Sequence, residues 1–317
     1  MSNELELIAG PNDDGRRLDR LLRKALPDLS LSAIHRLLRL GKVQVNGKPG
    51  KADERIKRDS IIRLNAIVNN WQPSVNAKDR LPLLPPILWQ GSGIIILNKP
   101  SGLLTHGTHS MDTLVTAYLT GMLPPSLSFK PGPLHRLDKF TSGALAFSQN
   151  LEGAQLFSRL LREKKIEKTY LAIVEGCIFD EHEWQDKLSR NKHEKKTYVT
   201  HNKCIPNALS MVKPLACNNY YTLAEIRIIT GRTHQIRAQA AAHGYPLAAD
   251  TKYGGHIMRH CGIKHNNFFL HAWKLGFRKD VIDAPEDLPD QIIAPLPELF
   301  LKQISNLFTL DIQDIAH

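Results

Sequence analysis

Cysteine is scarce in this chain: four residues in 317, at positions 177, 204, 217 and 261, with no C-x-x-C pair among them. That spacing supplies neither a dense disulfide framework nor a paired zinc-ligand box. Long apolar runs are missing too. The segment GIIIL at 93–97 has the length of a strand, far short of the roughly 20 residues needed to span a bilayer. The opening residues, MSNELELIAGPNDDG, are acidic where a secretory leader would start basic and turn apolar. A glycine-rich phosphate loop is also absent. The stretch HIMRHCGIKH holds His256, His260, Cys261 and His265, but at spacings that fit no paired-ligand pattern, and it reads as a basic surface loop. Together these absences predict a cytoplasmic protein with no membrane segment, no bound metal and reduced cysteines.

What the chain has in surplus is positive charge. Lysine and arginine number 42 against 31 acidic residues, a formal net charge of +11, and 42% of residues are hydrophobic. The length allows two domains with a sizeable core, and the charge suits a polyanionic partner. The surplus is concentrated near the N-terminus. Residues 15–63 carry fourteen basic and five acidic side chains. GRRLDRLLRKAL spaces Leu18, Leu21, Leu22 and Ala25 on one helical face. A second helix is expected with Ser32 as N-cap, Ile34, Leu37 and Leu38 inward, and Gly41 as its stop. KVQVNGKP then alternates into Asn46-Gly47, a strong hairpin signal. Arg36, Arg39, Lys42 and Lys48 fall on this second helix and hairpin, either as an ordinary solvated face or as an RNA-contacting one.

The proline-rich stretch 66–86 reads as a linker between a 1–65 module and a 87–317 domain. Beyond it come many short strands and a few helices. LEGAQLFSRLLREK is amphipathic, with Ala154, Phe157, Leu160 and Leu161 on one stripe. KTYLAIVEG and YYTLAEIRIITG alternate as half-buried strands, and a helix is expected around LPELFLKQISNLF. The pattern predicts an α+β fold with a mixed, mainly antiparallel sheet, preceded by a small α/β module. Neither a coiled-coil repeat nor an apolar dimer stripe is evident, so a monomer is expected.

Three stretches could carry chemistry. In PLHRLDKFTSGALAF, Asp138 stands among basic and turn-forming residues ahead of a strand at 144–147. It is either a solvated turn carboxylate or one held for reaction. In IITGRTHQIRAQAAAHG, Thr233 can cap a helix that Gly244 ends, yet Arg232, His234 and Arg237 crowd its N-terminus. Cations are disfavoured there, so the cluster calls for an anion: a phosphate, or a buried carboxylate such as Asp138. Paired with Arg237, Asp138 would stay ionised in a dry site and be competent as a nucleophile. In EKTYLAIVEG, Tyr170 is either a packed core residue or a ring that stacks on a base and handles a proton.

These stretches together resemble the RluA family of pseudouridine synthases. HRLDKFTSG is similar to its H-R-L-D-x-x-T-S-G signature, EKTYLAIVEG to its K-x-Y-x-A segment, and TGRTHQIR with GYPLAADTKYG to its third motif. LNKPSGLLTHG and FFLHAWKL match flanking segments in the right order, over roughly 87–285. The 15–65 module resembles the alpha-L RNA-binding domain. Two departures stand out: Ala249-Asp250 replaces a frequent Gly-Asp, and Ala238-Gln239 replaces Val-His.

The resemblance implies an isomerase that turns uridine into pseudouridine without a cofactor. It implies Asp138 as catalytic aspartate, Tyr170 as the ring on the target uracil, and Arg237 as the salt-bridge partner of Asp138. It also implies that Arg136 reaches into the RNA and that Leu270 lines the base pocket; Arg232 and His234 are expected on the RNA side from their charge at the helix start. The expected partner is RNA. Large-subunit ribosomal RNA suits the alpha-L module and the FFLHAWKL ending best, with transfer RNA as the alternative, and a non-catalytic RNA-binding or ribosome-assembly role as the rival reading.

Overall fold

In the computed structural model, the described residues are 4–65, 83–124, 126–200, 205–258, 267–278 and 285–309. The N-terminal elements are β1 (Glu4–Ile8), α1 (Leu18–Ala25), α2 (Leu31–Arg39), β2 (Val43–Val45), β3 (Lys48–Pro49) and β4 (Ile61–Asn65). Leu18, Leu21 and Leu22 of α1 and Ile34 and Leu38 of α2 are buried with Val43, Val45, Ile62 and Leu64 in one core. The sheet beneath them runs β1-β4-β2-β3. Asn46 (φ 48°) and Gly47 (φ 78°) turn the β2–β3 hairpin, the two positive φ values that a tight two-residue turn demands. One capping expectation is corrected. The cap of α2 is Ser30, whose hydroxyl accepts from the Ala33 amide at 3.2 Å, and Ser32 lies inside the first turn. Ser30 stands at the position from which a side-chain oxygen reaches the N3 amide. Gly41 ends the helix with φ 64°.

The remaining elements are β5 (Ile87–Gly91), β6 (Ile94–Lys99), α3 (Met111–Thr120), β7 (Gly132–Pro133), β8 (Ser142–Ser148), α4 (Leu151–Arg162), β9 (Ile166–Glu175), β10 (His182–Asp186), β11 (Leu188–Asn191), β12 (Lys196–Val199), β13 (Ala208–Cys217), β14 (Tyr221–Ile228), α5 (Gln235–Ala242), β15 (Leu270–Phe277), β16 (Gln291–Ile293) and α6 (Glu298–Leu307). Among the described residues, ten strands join one sheet in the order β10-β13-β14-β9-β15-β8-β6-β5, with β16 on β15 and β7 on β8. Its β10–β13, β13–β14, β14–β9 and β9–β15 ladders are antiparallel and β15–β8 is parallel. The molecule is thus α+β with a mainly antiparallel large sheet.

The expected half-burial of β9 is corrected: Tyr170 to Val174 are all buried. The cause is position. β9 lies between β14 and β15 at the middle of the sheet, and side chains on both its faces are covered.

The chain divides into two compact units, one of residues 1–84, 114–132 and 148–155, the other of 85–113, 133–147 and 156–317. Most of the 66–86 stretch, residues 66–82, lies outside the described residues. So do His260, Cys261 and His265 of the histidine-rich stretch, while its His256 pairs with Glu175 at 2.7 Å. None of the helices among the described residues is long and apolar enough to cross a membrane.

Candidate active site

The loop between β7 and β8 holds Asp138, and each signature residue around it has a visible task. His135 stacks on Phe157 with centroids 5.8 Å apart, and its Nε2 accepts from the Ala146 amide at 3.1 Å. That acceptor role puts the ring proton on Nδ1. Loss of water, reinforced by the charge of Lys168, pushes His135 down to about 3, so it is neutral at physiological pH. Leu137 is buried, and the Thr141 amide closes the turn onto the Asp138 carbonyl at 3.1 Å. The Ser142 hydroxyl pairs with His271 Nδ1 at 2.8 Å. Gly143 has φ 110° and faces the Ala272 backbone so closely that any β-carbon would collide with it. Glycine is therefore required where β8 meets β15.

The LNKPSGLLTHG segment grips this loop from behind. Buried Lys99 donates to the Lys139 and Pro100 carbonyls at 3.0 and 2.9 Å, and the Ser101 hydroxyl donates to the Phe140 carbonyl at 2.9 Å. The Gly102 amide adds a second bond to the Lys139 carbonyl. Thr105 Oγ1 donates to the Leu137 carbonyl and accepts from the Leu137 amide. Burial drives Lys99 down to about 7, with the charge of Asp138 opposing the fall. Backbone atoms of Leu137, Lys139 and Phe140 are thereby fixed on either side of Asp138, so little freedom remains at its Cα.

Arg237, the third residue of α5, approaches the carboxylate. Its Nη1 donates to Asp138 Oδ2 at 3.3 Å. Its stronger hold is on a residue the sequence had not singled out as a partner: Nε and Nη2 make a bidentate pair with Asp250 at 2.7 and 2.8 Å. The guanidinium also lies against two rings, 4.7 Å from the centroid of Tyr253 and 4.3 Å from that of Phe268. Burial alone would lower the Arg237 pKa, but the Asp250 hydrogen bonds and the charges of Asp250 and Asp138 outweigh it, and the net direction is upward. A cation fixed this tightly is a permanent countercharge for Asp138.

His234 supplies the second contact to Asp138, with Nε2 3.7 Å from Oδ1. Its Nδ1 faces the Tyr253 hydroxyl at 2.8 Å, and that hydroxyl accepts from the Thr197 amide. The carboxylate favours the imidazole proton on Nε2, which leaves Nδ1 to accept from Tyr253. Desolvation lowers the His234 pKa, opposed by Asp138 and assisted by Arg237. The expected Thr233 cap of α5 is corrected. His234 is the N-cap residue, in the left-handed region at φ 52° and with no side-chain cap bond. The Thr233 carbonyl instead accepts from the Thr197 hydroxyl. This turn bends to aim His234 at Asp138 rather than to cap the helix.

Beside the carboxylate lies a hollow of about 350 Å³ bordered by His135, Arg136, Lys168, Tyr170, Arg232 and His234. Leu270 and Arg237 border the adjoining recess with Asp138 and Tyr170. Tyr170 stands in mid-β9, opposite Ile226 and Ala272 on the flanking strands, and burial reinforced by the charge of Asp138 raises its phenol pKa. A flat ligand would meet the aromatic ring, an apolar wall and one ionised edge.

Of the residues singled out in the sequence, Asp138, Tyr170, Arg237, Arg136, Arg232, His234 and Leu270 all border these adjoining recesses. Arg36, Arg39, Lys42 and Lys48 do not; they are exposed on α2 and the β2–β3 region of the other unit. Sequence reasoning gave no role to Asp250, Tyr253, Phe268, Lys99 or Lys168, the last of which it quoted only as the first letter of K-x-Y-x-A. Asp250 and Tyr253 sat in AADTKYGG, noted as a departure from a pattern, and Lys99 sat in a flanking match.

The sequence model of the family described as RNA pseudouridylate synthase matches residues 93–242, and that of the S4 domain matches 16–62. The chain is 30% identical over 314 residues to "Uncharacterized RNA pseudouridine synthase YlyB" of Bacillus subtilis, covering 96% of this chain and 98% of that protein. It is 28% identical to ribosomal large subunit pseudouridine synthase C of Vibrio vulnificus, covering 93% and 94%. With the protein of that name from Escherichia coli it shares 29%, covering 86% and 88%. A solved structure of human RNA pseudouridylate synthase domain containing 4 superposes with a TM-score of 0.55 at 20% identity, over 70% of this chain and 92% of that one. This last likeness speaks to the fold alone.

Proposed function

The chain belongs to the RNA pseudouridine synthase family, and from that premise we propose that it isomerises uridines of large-subunit ribosomal RNA, with Asp138 as the group acting on the bond between base and sugar. The family's reaction breaks the bond from ribose C1′ to uracil N1, turns the base, and forms a bond from C1′ to C5. The proton on C5 leaves as N1 gains one, so atoms and charge balance without an oxidant.

The single observation supporting the assignment is the hold on Asp138: one oxygen at 3.3 Å from an arginine that Asp250 keeps in place, the other 3.7 Å from His234, with the carboxylate bordering a hollow shared with Tyr170. A paired nucleobase cannot reach a half-buried carboxylate, so the uridine leaves its stack, at an expense of a few kcal/mol. Tyr170 stabilises the extruded ring by stacking, and Leu270 excludes water from its edge. Asp138 then adds to C1′ or draws the base away by its charge; both routes need the same ionised oxygen. The raised Tyr170 pKa keeps its hydroxyl protonated, ready to hydrogen-bond the ring or relay the C5 proton through the carboxylate. Arg136, exposed beside Asp138, and Arg232 supply backbone attraction. The large-subunit substrate is carried by the names of the Vibrio and Escherichia relatives and by the basic N-terminal module, through which Arg36, Arg39, Lys42 and Lys48 would bind phosphates.

The test is to incubate wild type and Asp138→Asn with unmodified large-subunit ribosomal RNA and with transfer RNA transcripts, then map pseudouridine by carbodiimide labelling and reverse-transcription stops. Stops in the ribosomal RNA with wild type alone support the whole reading. Stops in transfer RNA only would replace the substrate, and equal stops with both proteins would remove Asp138 from the chemistry.

A further inference from the structure

The cations of this site, Arg237 and Lys99 buried and Lys168 half-buried, fall into two kinds. Arg237 meets two carboxylates, and Lys99 donates to two carbonyls. Lys168 has neither. Among the described residues its ammonium makes no hydrogen bond and no ion pair, although the side chain borders the 350 Å³ hollow with Tyr170, Arg136 and Arg232. Its ammonium reaches the turn that leads into α5: a β-carbon placed at Gly231 would stand 3.7 Å from Nζ. Desolvation alone lowers its pKa, with no acidic neighbour to offset the loss of water, and its charge in turn helps keep His135 neutral. An ammonium taken from water without a counter-ion destabilises the empty protein. Such a group persists where a ligand supplies the missing charge.

We propose that Lys168 anchors a backbone phosphate of the substrate RNA, the one adjoining the uridine that enters the hollow, with Arg136 and Arg232 as its exposed partners. A uracil carbonyl would also accept from an ammonium, but a neutral acceptor leaves the charge uncompensated. Among the described residues the near carboxylate, Asp138, is already turned toward Arg237 and His234 and leaves Lys168 without a counter-ion. The phosphate of an extruded nucleotide travels with its base, so an anion seat beside the Tyr170 ring fixes both ends of one nucleotide. Fixing both holds the nucleotide in the hollow with its sugar toward Asp138 and adds to the affinity for the substrate. This inference rests on the proposed RNA-modifying site and adds to it a residue that selects where the flipped nucleotide is gripped.

The experiment compares wild type, Lys168→Met and Lys168→Arg on a ribosomal RNA stem-loop carrying the mapped uridine, with the phosphate on its 5′ or 3′ side native or replaced by a neutral methylphosphonate. The wild type is expected to lose at least about tenfold in kcat/KM with one of the two replacements. Lys168→Met is expected to lose as much on native RNA, chiefly through KM, and nothing more on that methylphosphonate; Lys168→Arg restores part of the loss. The Tm of Lys168→Met should equal or exceed that of wild type, because an uncompensated charge has been removed. Losses that multiply at both positions, or a falling Tm with kcat alone affected, would overturn the anchor and make Lys168 a structural residue. If wild type modifies no ribosomal or transfer RNA, the substrate reading has failed, and the anchor is read by binding the same transcripts. Equal affinities for wild type and Lys168→Met would then sink it, and a weaker affinity with a salt slope lower by about one would support it.

Discussion

Two aspartates in this protein, Asp13 in a short 3-10 turn (Pro11–Asp13) and Asp138 in a loop, have surroundings that differ in kind. Asp13 of the N-terminal unit is wholly buried and accepts five hydrogen bonds, from the amides of Gly10, Leu127 and Ser128 and the hydroxyls of Ser126 and Ser128. All five donors are neutral, and both carboxylate oxygens are occupied. Asp138 has an arginine at 3.3 Å and a histidine at 3.7 Å, and the rest of it borders a hollow. A carboxylate that ties a loop together is saturated by dipoles. One kept for chemistry is steadied by fixed charge and left short of partners, so that a substrate completes its shell. What separates the two is the nature and number of the donors.

That contrast can be broken or sharpened by substitution. The largest effect is expected from Asp138→Asn: turnover falls by about a thousandfold or more, while Tm stays within a few degrees because Arg237 keeps its bidentate pair with Asp250. Asp250→Asn should come next. It leaves a buried guanidinium half-paired and free to shift, lowering turnover by about a hundredfold and stability by roughly 3 kcal/mol, read by kinetics and denaturant titration on one preparation. Asp13→Ala strands several buried donors and is expected to reduce stability by about 2–3 kcal/mol with turnover per folded molecule unchanged.

The smallest effect is on pH dependence. His271 is buried, its Nε2 donating to the Ala294 carbonyl at 3.0 Å and its Nδ1 accepting from Ser142, and burial lowers its pKa to about 4. His135 is lowered to about 3. In the unfolded chain both bind protons near pH 6.5, and in the folded chain they resist doing so. Their contribution is therefore complete above about pH 6.5 and is lost as the pH falls from there toward 4. A Tm that declines across that window in wild type, and declines less in His271→Asn, fits this account; parallel slopes would assign the decline to other groups.

Much of the fold was readable because its elements obey local rules. The leucines of α1 and the Asn46-Gly47 turn follow spacing and backbone sterics alone. The signature around Asp138 was readable as a string, though what each letter does was not. That His135 accepts from Ala146, and that Gly143 passes the Ala272 backbone, depends on which strand lies alongside. Asp250 escaped notice for the same reason, because the pairing with Arg237 spans a turn and needs the folded path of the chain. The α5 cap was misread since Thr233 has the right chemistry, but the turn is bent to present His234 instead. Lys168 was visible as the lysine of K-x-Y-x-A, but its role was not. Its meaning lies in a missing partner, and a sequence lists what is present.

The most direct test of the distinction between a structural and a reactive carboxylate is pseudouridine formation per folded molecule, measured side by side for Asp13→Asn and Asp138→Asn on the same RNA, with folded fractions taken from denaturant curves. The account predicts a less stable but active Asp13→Asn and a stable but inactive Asp138→Asn. Comparable turnover per folded molecule in the two variants would contradict it.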